Sequence, residues 1–383
     1  MSEVELGPTR PLVSPLYCSA VYSFPDLDAL EAVYQGQVSG FVYARDGHPN
    51  AVSLAQRLAS WESAKWCIVT ASGMAALALT LMALLRGGDV VVASRRLYGR
   101  TLQLLTEELL RWQVHTCLVD LDDTKAFAAA LAHRPRLVLV ETLSNPTLRL
   151  ANIPRLAQLC QEVGAHLLVD NTFATPVLCQ PLRLGADFVV ESLTKMLSGH
   201  SDVTLGAVLG RDDQAWERFR RVCTIFGWTG NPFDCWLAER GLQTLTVRMQ
   251  QASRTAQALA DWLAQHPHIR RVIYPGRRDH PDHELARELF GGLYGNMLSI
   301  ELTGGREVVN QFLRRQDKIV LAPSLGDVRT ICTHPASTSH RYAPPEENAR
   351  EGITDGLLRI SVGLEPLEEL QQAFQRGLDG AGT

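Results

Sequence analysis

Four lysines occur in the 383-residue chain, and one of them stands where an amine can do covalent chemistry. Lys65 precedes a strand in an exposed turn, Lys125 sits among acidic residues at a helix start, and Lys318 follows a charged run, so each reads as solvated. Lys195 instead follows the apolar run DFVVES through Ser192 and Thr194. Its amine can condense with an aldehyde while the two hydroxyls bind phosphate oxygens. A second apolar run, AHLLVD, ends on Asp170. A carboxylate emerging from a hydrophobic strand is costly without a cationic partner. A protonated pyridine nitrogen is such a partner, and keeping it protonated makes the ring an electron sink. Capping of the following Asn171-Thr172 is the alternative role for Asp170.

Three further sites extend this chemistry. Between CIVT and the helical pattern MAALALTLMALL lie Ala71, Ser72 and Gly73, where small residues let the main chain approach a ligand. Free N–H groups at a helix start suit a phosphate, although an ordinary N-cap would use the same residues. Tyr98, in the turn after VVVAS, can lie flat on an aromatic ring and titrate beside a substrate, or simply pack. Arg359 alternates with apolar residues in LLRISVGLE, and its planar fork suits either the carboxylate of an amino acid or a buried ion pair. An aldehyde, a phosphate and a pyridinium nitrogen together describe pyridoxal 5′-phosphate, and the fork of Arg359 makes an amino acid the expected substrate.

The elements that must hold these residues follow from periodicity. From about residue 50 to 240, short β-branched runs alternate with longer helical patterns, the signature of a parallel sheet covered by helices. Strands are expected at 66–70, 89–94, 136–141, 165–170, 187–192 and 205–210. Ligands in such sheets collect beyond the strands' carboxyl ends, where Ser72-Gly73-Met74, Tyr98, Glu141, Asp170 and Ser192-x-Thr194-Lys195 all fall. Composition shifts at VIYPG toward a smaller α/β domain with MLSIEL and KIVLAPS as strands and a last helix from about Pro366. The resulting division is an arm over 1–45, expected to pack on a neighbouring subunit, a cofactor-binding domain over 46–245 and a C-terminal domain over 246–383.

A net charge of −4 without a basic stripe argues against nucleic acid as a partner. The start lacks a basic stretch followed by an apolar core, and no run reaches about 18 apolar residues, so a cytoplasmic protein without membrane contact is expected. Eight cysteines lie far apart without a C-x-x-C pair and read as reduced thiols, mostly buried. His280, His283 and Glu284 in RRDHPDHEL read as a solvated loop rather than a metal site.

Nine ordered motifs carry a resemblance across nearly the whole chain: YARDGHPN, ASGMAA, LYGRT, ETLSNPT, VDNTFATP, ESLTKMLSGHSD, PFDCWLAERGLQTL, THPASTSH and LLRISVGLE. The chain resembles the Cys/Met-metabolism (trans-sulfuration) family of pyridoxal-phosphate enzymes. The resemblance implies an α/β fold of the fold-type I transferases, with a mostly parallel seven-stranded sheet and a smaller C-terminal α/β domain. It implies Lys195 as the cofactor-bearing lysine, Asp170 on the pyridine nitrogen and Tyr98 on the ring. Phosphate would be held by Ser72, Gly73, Met74, Ser192 and Thr194, with Tyr43 and Arg45 reaching in from a neighbouring subunit. Asn145 would lie near the cofactor and, with Ser324 and Arg359, near the substrate carboxylate.

The family assembles as a homotetramer, a dimer of dimers sharing active sites. The implied reaction is γ-elimination or γ-replacement on a sulfur amino acid or homoserine ester, with Lys195 moving protons and Tyr98 serving the leaving group. A cystathionine β-lyase is the alternative, and an aminotransferase a more distant one. Arg100 stands where methionine γ-lyases carry cysteine and most relatives glycine, and Arg329 where cystathionine γ-lyases have glutamate. Two arginines near the mouth would favour an acylated or acidic substrate such as O-succinylhomoserine.

Overall fold

Seven five-residue segments pair into one sheet in the computed structural model, which describes residues 8–379. They are β1 (Trp66–Thr70), β2 (Val90–Ser94), β3 (His115–Val119), β4 (Leu137–Glu141), β5 (His166–Asp170), β6 (Phe188–Ser192) and β7 (Gly206–Gly210). Successive side chains point to opposite faces. Cys67, Val69, Val138, Val140, Leu167 and Val169 enter one hydrophobic layer. Trp66, Ile68, Leu137, Leu139 and Leu168 enter the other. Because both faces are buried, the strands read as continuous apolar runs rather than alternating ones.

The strand order is β1-β7-β6-β5-β4-β2-β3. Pairs β2–β3, β2–β4, β4–β5 and β5–β6 are parallel, whereas β7 runs against both β1 and β6. The sheet is therefore mixed. The cause is local: no crossover helix occupies residues 193–205, and a parallel return usually needs one. β3 escaped the six strand candidates because it is an edge strand, exposed at His115 and only half-buried at its next three residues.

The second sheet takes β8 (Ile269–Ile273), β9 (Met297–Leu302), β10 (Val320–Leu321), β11 (Ile331–Thr333) and β12 (Leu357–Ser361) in the order β10-β11-β12-β9-β8. The strand expected in KIVLAPS shrinks to two residues, with Pro323 just beyond, where a ladder donor is missing. One helix, Leu245–Leu263, joins the two cores: Leu245 and Met249 pack in the first, Ala256, Leu259 and Leu263 in the second. The last helix, Leu367–Leu378, closes the second core with Leu370 and Phe374.

Residues 1–7 of the expected arm lie outside the described residues. The rest contains a helix, Leu27–Tyr34, capped by Asp26, and meets the body where Tyr17 N–H donates to Asn50 Oδ1 and Trp236 Nε1 donates to the Ser14 carbonyl. It leaves Leu12, Val21, Leu27 and Tyr34 exposed. No described helix is long and apolar enough to cross a membrane. Six of the eight cysteines are buried, Cys18 is exposed, and all are free thiols. The segment RRDHPDHEL departs from the solvated loop expected of it. Asp282 accepts from Arg149 at 2.6 Å, His283 bonds the Pro275 carbonyl, and His280 is buried, which lowers its pKa to about 4.

Candidate active site

The start of the helix Gly73–Leu84 builds one end of a cavity. Ser72 caps it, its Oγ accepting from Ala75 N–H at 3.1 Å. A Cβ on Gly73 would sit 2.9 Å from Ser192 Cβ, and one on Gly206 only 2.2 Å from the Ser72 carbonyl oxygen. Two glycines thus let the main chain at 72–73 close against the ends of β6 and β7. The first-turn N–H groups have no partner within the helix, so the recess favours an anion. Ser192 presents its hydroxyl there, and its N–H donates to Thr172 Oγ1 at 3.0 Å. Thr194 also lines the cavity, but its hydroxyl exchanges bonds with the N–H and carbonyl of Leu205, fixing the turn that leads to β7.

Across the cavity floor, Glu141 and Asp170 end adjacent parallel strands and face each other in register. Asp170 Oδ1 accepts from Thr172 N–H at 3.0 Å, and no cationic side chain among the described residues pairs with it. Burial raises its pKa. Glu141 is pushed well above the usual carboxylate range by burial and then by the Asp170 charge. Burial and the neighbouring Asp170 charge both disfavour the ionised form of Glu141. Its two oxygens accept from the N–H groups of Tyr98, at 2.6 Å, and Asn145, at 3.3 Å, tying both loops to β4.

Lys195 reaches the cavity from the β6–β7 connection and donates from Nζ to Ser324 Oγ at 3.1 Å. Burial, with Arg359 as a lesser cause, lowers its pKa to about 8. Arg359 projects from β12, opposite Thr333 of β11. Its Nη1 donates to Asn145 Oδ1 at 2.8 Å, and Nη2 donates to the Ser324 carbonyl at 2.8 Å and to Thr333 Oγ1 at 3.2 Å. Its Cζ lies 5.8 Å from the centre of the Phe173 ring. Only 3% exposed, it forms no ion pair with a described carboxylate, and its Nε has no partner. Burial drives its pKa down to about 10. A buried, unbalanced guanidinium is a standing demand for an anion.

These groups share one cavity of about 740 Å³, lined by Ser72, Gly73, Met74, Tyr98, Asn145, Asp170, Ser192, Thr194, Lys195, Ser324 and Arg359. The glycine-closed recess, the Asp170 charge without a cation and the free Lys195 amine fit a phosphorylated pyridinium aldehyde. Tyr43 and Arg45 do not line this cavity; they sit apart, with the guanidinium 5.3 Å from the ring centre. The two mouth arginines separate as well. Arg100 lines the cavity, but Arg329 turns outward onto Asp327 at 3.0 Å, which corrects its expected place at the mouth. Thr172, Phe173 and Thr333 touch the site groups, yet residue type alone did not mark them. Only the strand register exposes Thr333.

The family model for the Cys/Met metabolism PLP-dependent enzyme matches residues 3–379. The chain is 40% identical to O-succinylhomoserine sulfhydrylase of Pseudomonas aeruginosa, covering 95% of this chain and 90% of that protein. It is 36% identical to L-methionine γ-lyase of Porphyromonas gingivalis, covering 96% and 92%. Cystathionine γ-synthase from Xanthomonas oryzae pv. oryzae, solved with aminoacrylate and cysteine, superimposes with a TM-score of 0.92 at 37% identity, covering 97% and 93%.

Proposed function

Because the chain belongs to the Cys/Met metabolism family of PLP-dependent enzymes, we propose that it catalyses γ-elimination or γ-replacement on a sulfur amino acid or a homoserine ester. The observation that carries this reading is the pairing, in one cavity, of a free amine at Lys195 with the unbalanced Arg359 guanidinium. An α-amino acid presents to such a site a carboxylate for Arg359 and reacting carbons toward Lys195. Pyridoxal 5′-phosphate, when bound, supplies an electrophilic aldehyde and a ring that accepts the electron pair left on Cα. Lys195, Asp170, Tyr98 and the recess of Ser72, Gly73, Met74, Ser192 and Thr194 would hold it, with Asn145 nearby.

The chain's own residues divide the remaining work. Arg359, Asn145 and Ser324 grip the substrate carboxylate, which fixes the rotation about Cα. With its pKa lowered to about 8, the Lys195 amine is partly neutral near neutral pH and can take protons in turn from Cα and from Cβ, where the pair left behind forms the Cβ–Cγ double bond as the Cγ group departs. Ser324 Oγ, at 3.1 Å, holds that amine on the cavity side. Tyr98, held through its main chain by Glu141, supplies a proton to the group leaving Cγ.

The exposed apolar residues of the arm support its packing on a second copy. That supports a homotetramer in which Tyr43 and Arg45 complete a neighbour's phosphate site. The architecture is read as the fold-type I transferase class, and amino-acid metabolism supports a cytoplasmic location. The test is turnover by purified, cofactor-loaded protein. Methionine, cystathionine, O-acetylhomoserine and O-succinylhomoserine, the esters with a thiol, are followed by 2-oxobutanoate and thioether release. At least one should turn over, and Lys195→Ala should lose both activity and the visible absorption of the bound cofactor. Turnover of none, or an unchanged Lys195→Ala enzyme, overturns the reading.

A further inference from the structure

The mouth of the cavity carries a second cationic cluster that the chemistry above leaves unused. Gly99 is the hinge of its construction. A Cβ there would lie 2.3 Å from the Ser339 carbonyl oxygen, so the turn after Tyr98 and the segment 339–342 meet backbone to backbone. That contact brings Arg100 and Arg341 to one ring. Their Cζ atoms lie 5.0 Å and 4.8 Å from the centre of Tyr342. Gln103 Oε1 accepts from Arg100 at 2.7 Å and holds its guanidinium over the rim.

Neither arginine has a carboxylate partner among the described residues. Glu107 and Glu347 line the same mouth, but no ion pair forms between them and Arg100 or Arg341. Two guanidinium groups held beside one aromatic ring repel each other, and the ring attracts each only weakly. An anion between them would relieve that repulsion and gain forked hydrogen bonds. His340, buried beside them with its pKa lowered to about 4, is neutral and adds no charge.

We infer that Arg100, Arg341 and Tyr342 form a distal anion subsite, selecting substrates whose chain beyond Cγ ends in a second carboxylate. This rests on the reading above, since it takes Arg359 to hold the first carboxylate at the inner end. A dicarboxylate ester of homoserine and a thioether with a second amino-acid head share this feature. Methionine and the acetyl ester lack it. The zwitterionic head also carries an ammonium, which Glu107 and Glu347 can accept, whereas a hemisuccinate brings charge of one sign only.

The cofactor-loaded enzyme and its Arg100→Ala, Arg341→Ala and double variants are compared on O-succinylhomoserine, cystathionine and O-acetylhomoserine. The ratio of kcat/KM for the succinyl ester over the acetyl ester is expected to fall tenfold or more in the double variant. A smaller fall for cystathionine than for the succinyl ester identifies the ester as the better match, and the reverse identifies the thioether. Calorimetry with 2-aminopimelate and norleucine provides a readout independent of turnover. The dicarboxylate should bind the wild type more tightly, and the double variant should lose that preference. If turnover proceeds but ratio and preference survive in the double variant, the subsite is refuted while the proposed reaction stands. If nothing turns over yet the preference for 2-aminopimelate vanishes with the arginines, the reaction assignment fails and the subsite stands.

Discussion

Replacing Arg359 with alanine gives the sharpest measure of how the inner end of the cavity recognises an amino acid. The guanidinium is buried, holds Asn145 Oδ1, the Ser324 carbonyl and Thr333 Oγ1, and keeps Nε without a protein partner. Truncating one member of a buried, hydrogen-bonded charge pair costs about 2 to 5 kcal/mol. Affinity would therefore fall by roughly 30-fold to several thousand-fold. Part of that loss reflects Asn145 and Ser324 left without a donor, so raw affinity is not enough. The decisive comparison is norleucine against pentylamine, which differ by the carboxylate alone, titrated calorimetrically into cofactor-loaded protein. Wild type should prefer norleucine strongly, and Arg359→Ala should lose nearly all of that preference. Arg359→Lys keeps the charge without the fork and should fall between the two. An undiminished preference in Arg359→Ala would refute the carboxylate role, whatever happened to overall affinity.

The pKa of Lys195 gives a pH test on cofactor-free protein. Lowered from 10.5 to about 8, the amine should react with an aldehyde at a rate that climbs with pH around a midpoint near 8. In Arg359→Ala that midpoint should move upward, because a neighbouring cation is removed; a fixed midpoint would rule out the coupling. Between the two values the unfolded chain holds the extra proton, so Lys195 adds stability as pH rises. Gly73→Ala places a Cβ 2.9 Å from Ser192 Cβ and should weaken cofactor binding by about 1 to 3 kcal/mol through overpacking. Titration of pyridoxal 5′-phosphate into the cofactor-free variant checks this, and wild-type affinity would dismiss the recess. Glu62 and Glu191 flank Asn171 inside the core, both accepting from its Nδ2, and burial raises Glu62 to about 7. A raised carboxyl pKa means stability present below about 4.5 and lost as pH climbs through 7. Glu62→Gln escapes that loss, so its Tm relative to wild type should rise between pH 5 and pH 8, and a flat difference would contradict the assignment.

Local pattern alone determined a good part of this protein. Six apolar runs became β1, β2, β4, β5, β6 and β7 within a residue of their expected ends, because each is short, β-branched and buried on both faces. Lys195 and Asp170 stood out for the same reason, as charged groups at the ends of runs that otherwise exclude charge. Position at a strand's carboxyl end was enough to gather Ser72, Tyr98, Glu141 and Ser192 into one cavity.

Tertiary structure decided what no local pattern contains. The reversal of β7 came from the absence of a crossover helix, and the edge strand β3 was concealed by its exposed side chains. Thr333 meets Arg359 only because β11 pairs with β12 in one particular register. Arg100 and Arg329 looked alike as surplus arginines, yet one lines the cavity beside a ring and the other folds onto Asp327. Periodicity is set by a residue's own backbone and near neighbours. Whether a long charged side chain meets a near neighbour, as Arg329 meets Asp327, or a group from far along the chain, as Arg100 meets Tyr342, is settled only when the chain is folded.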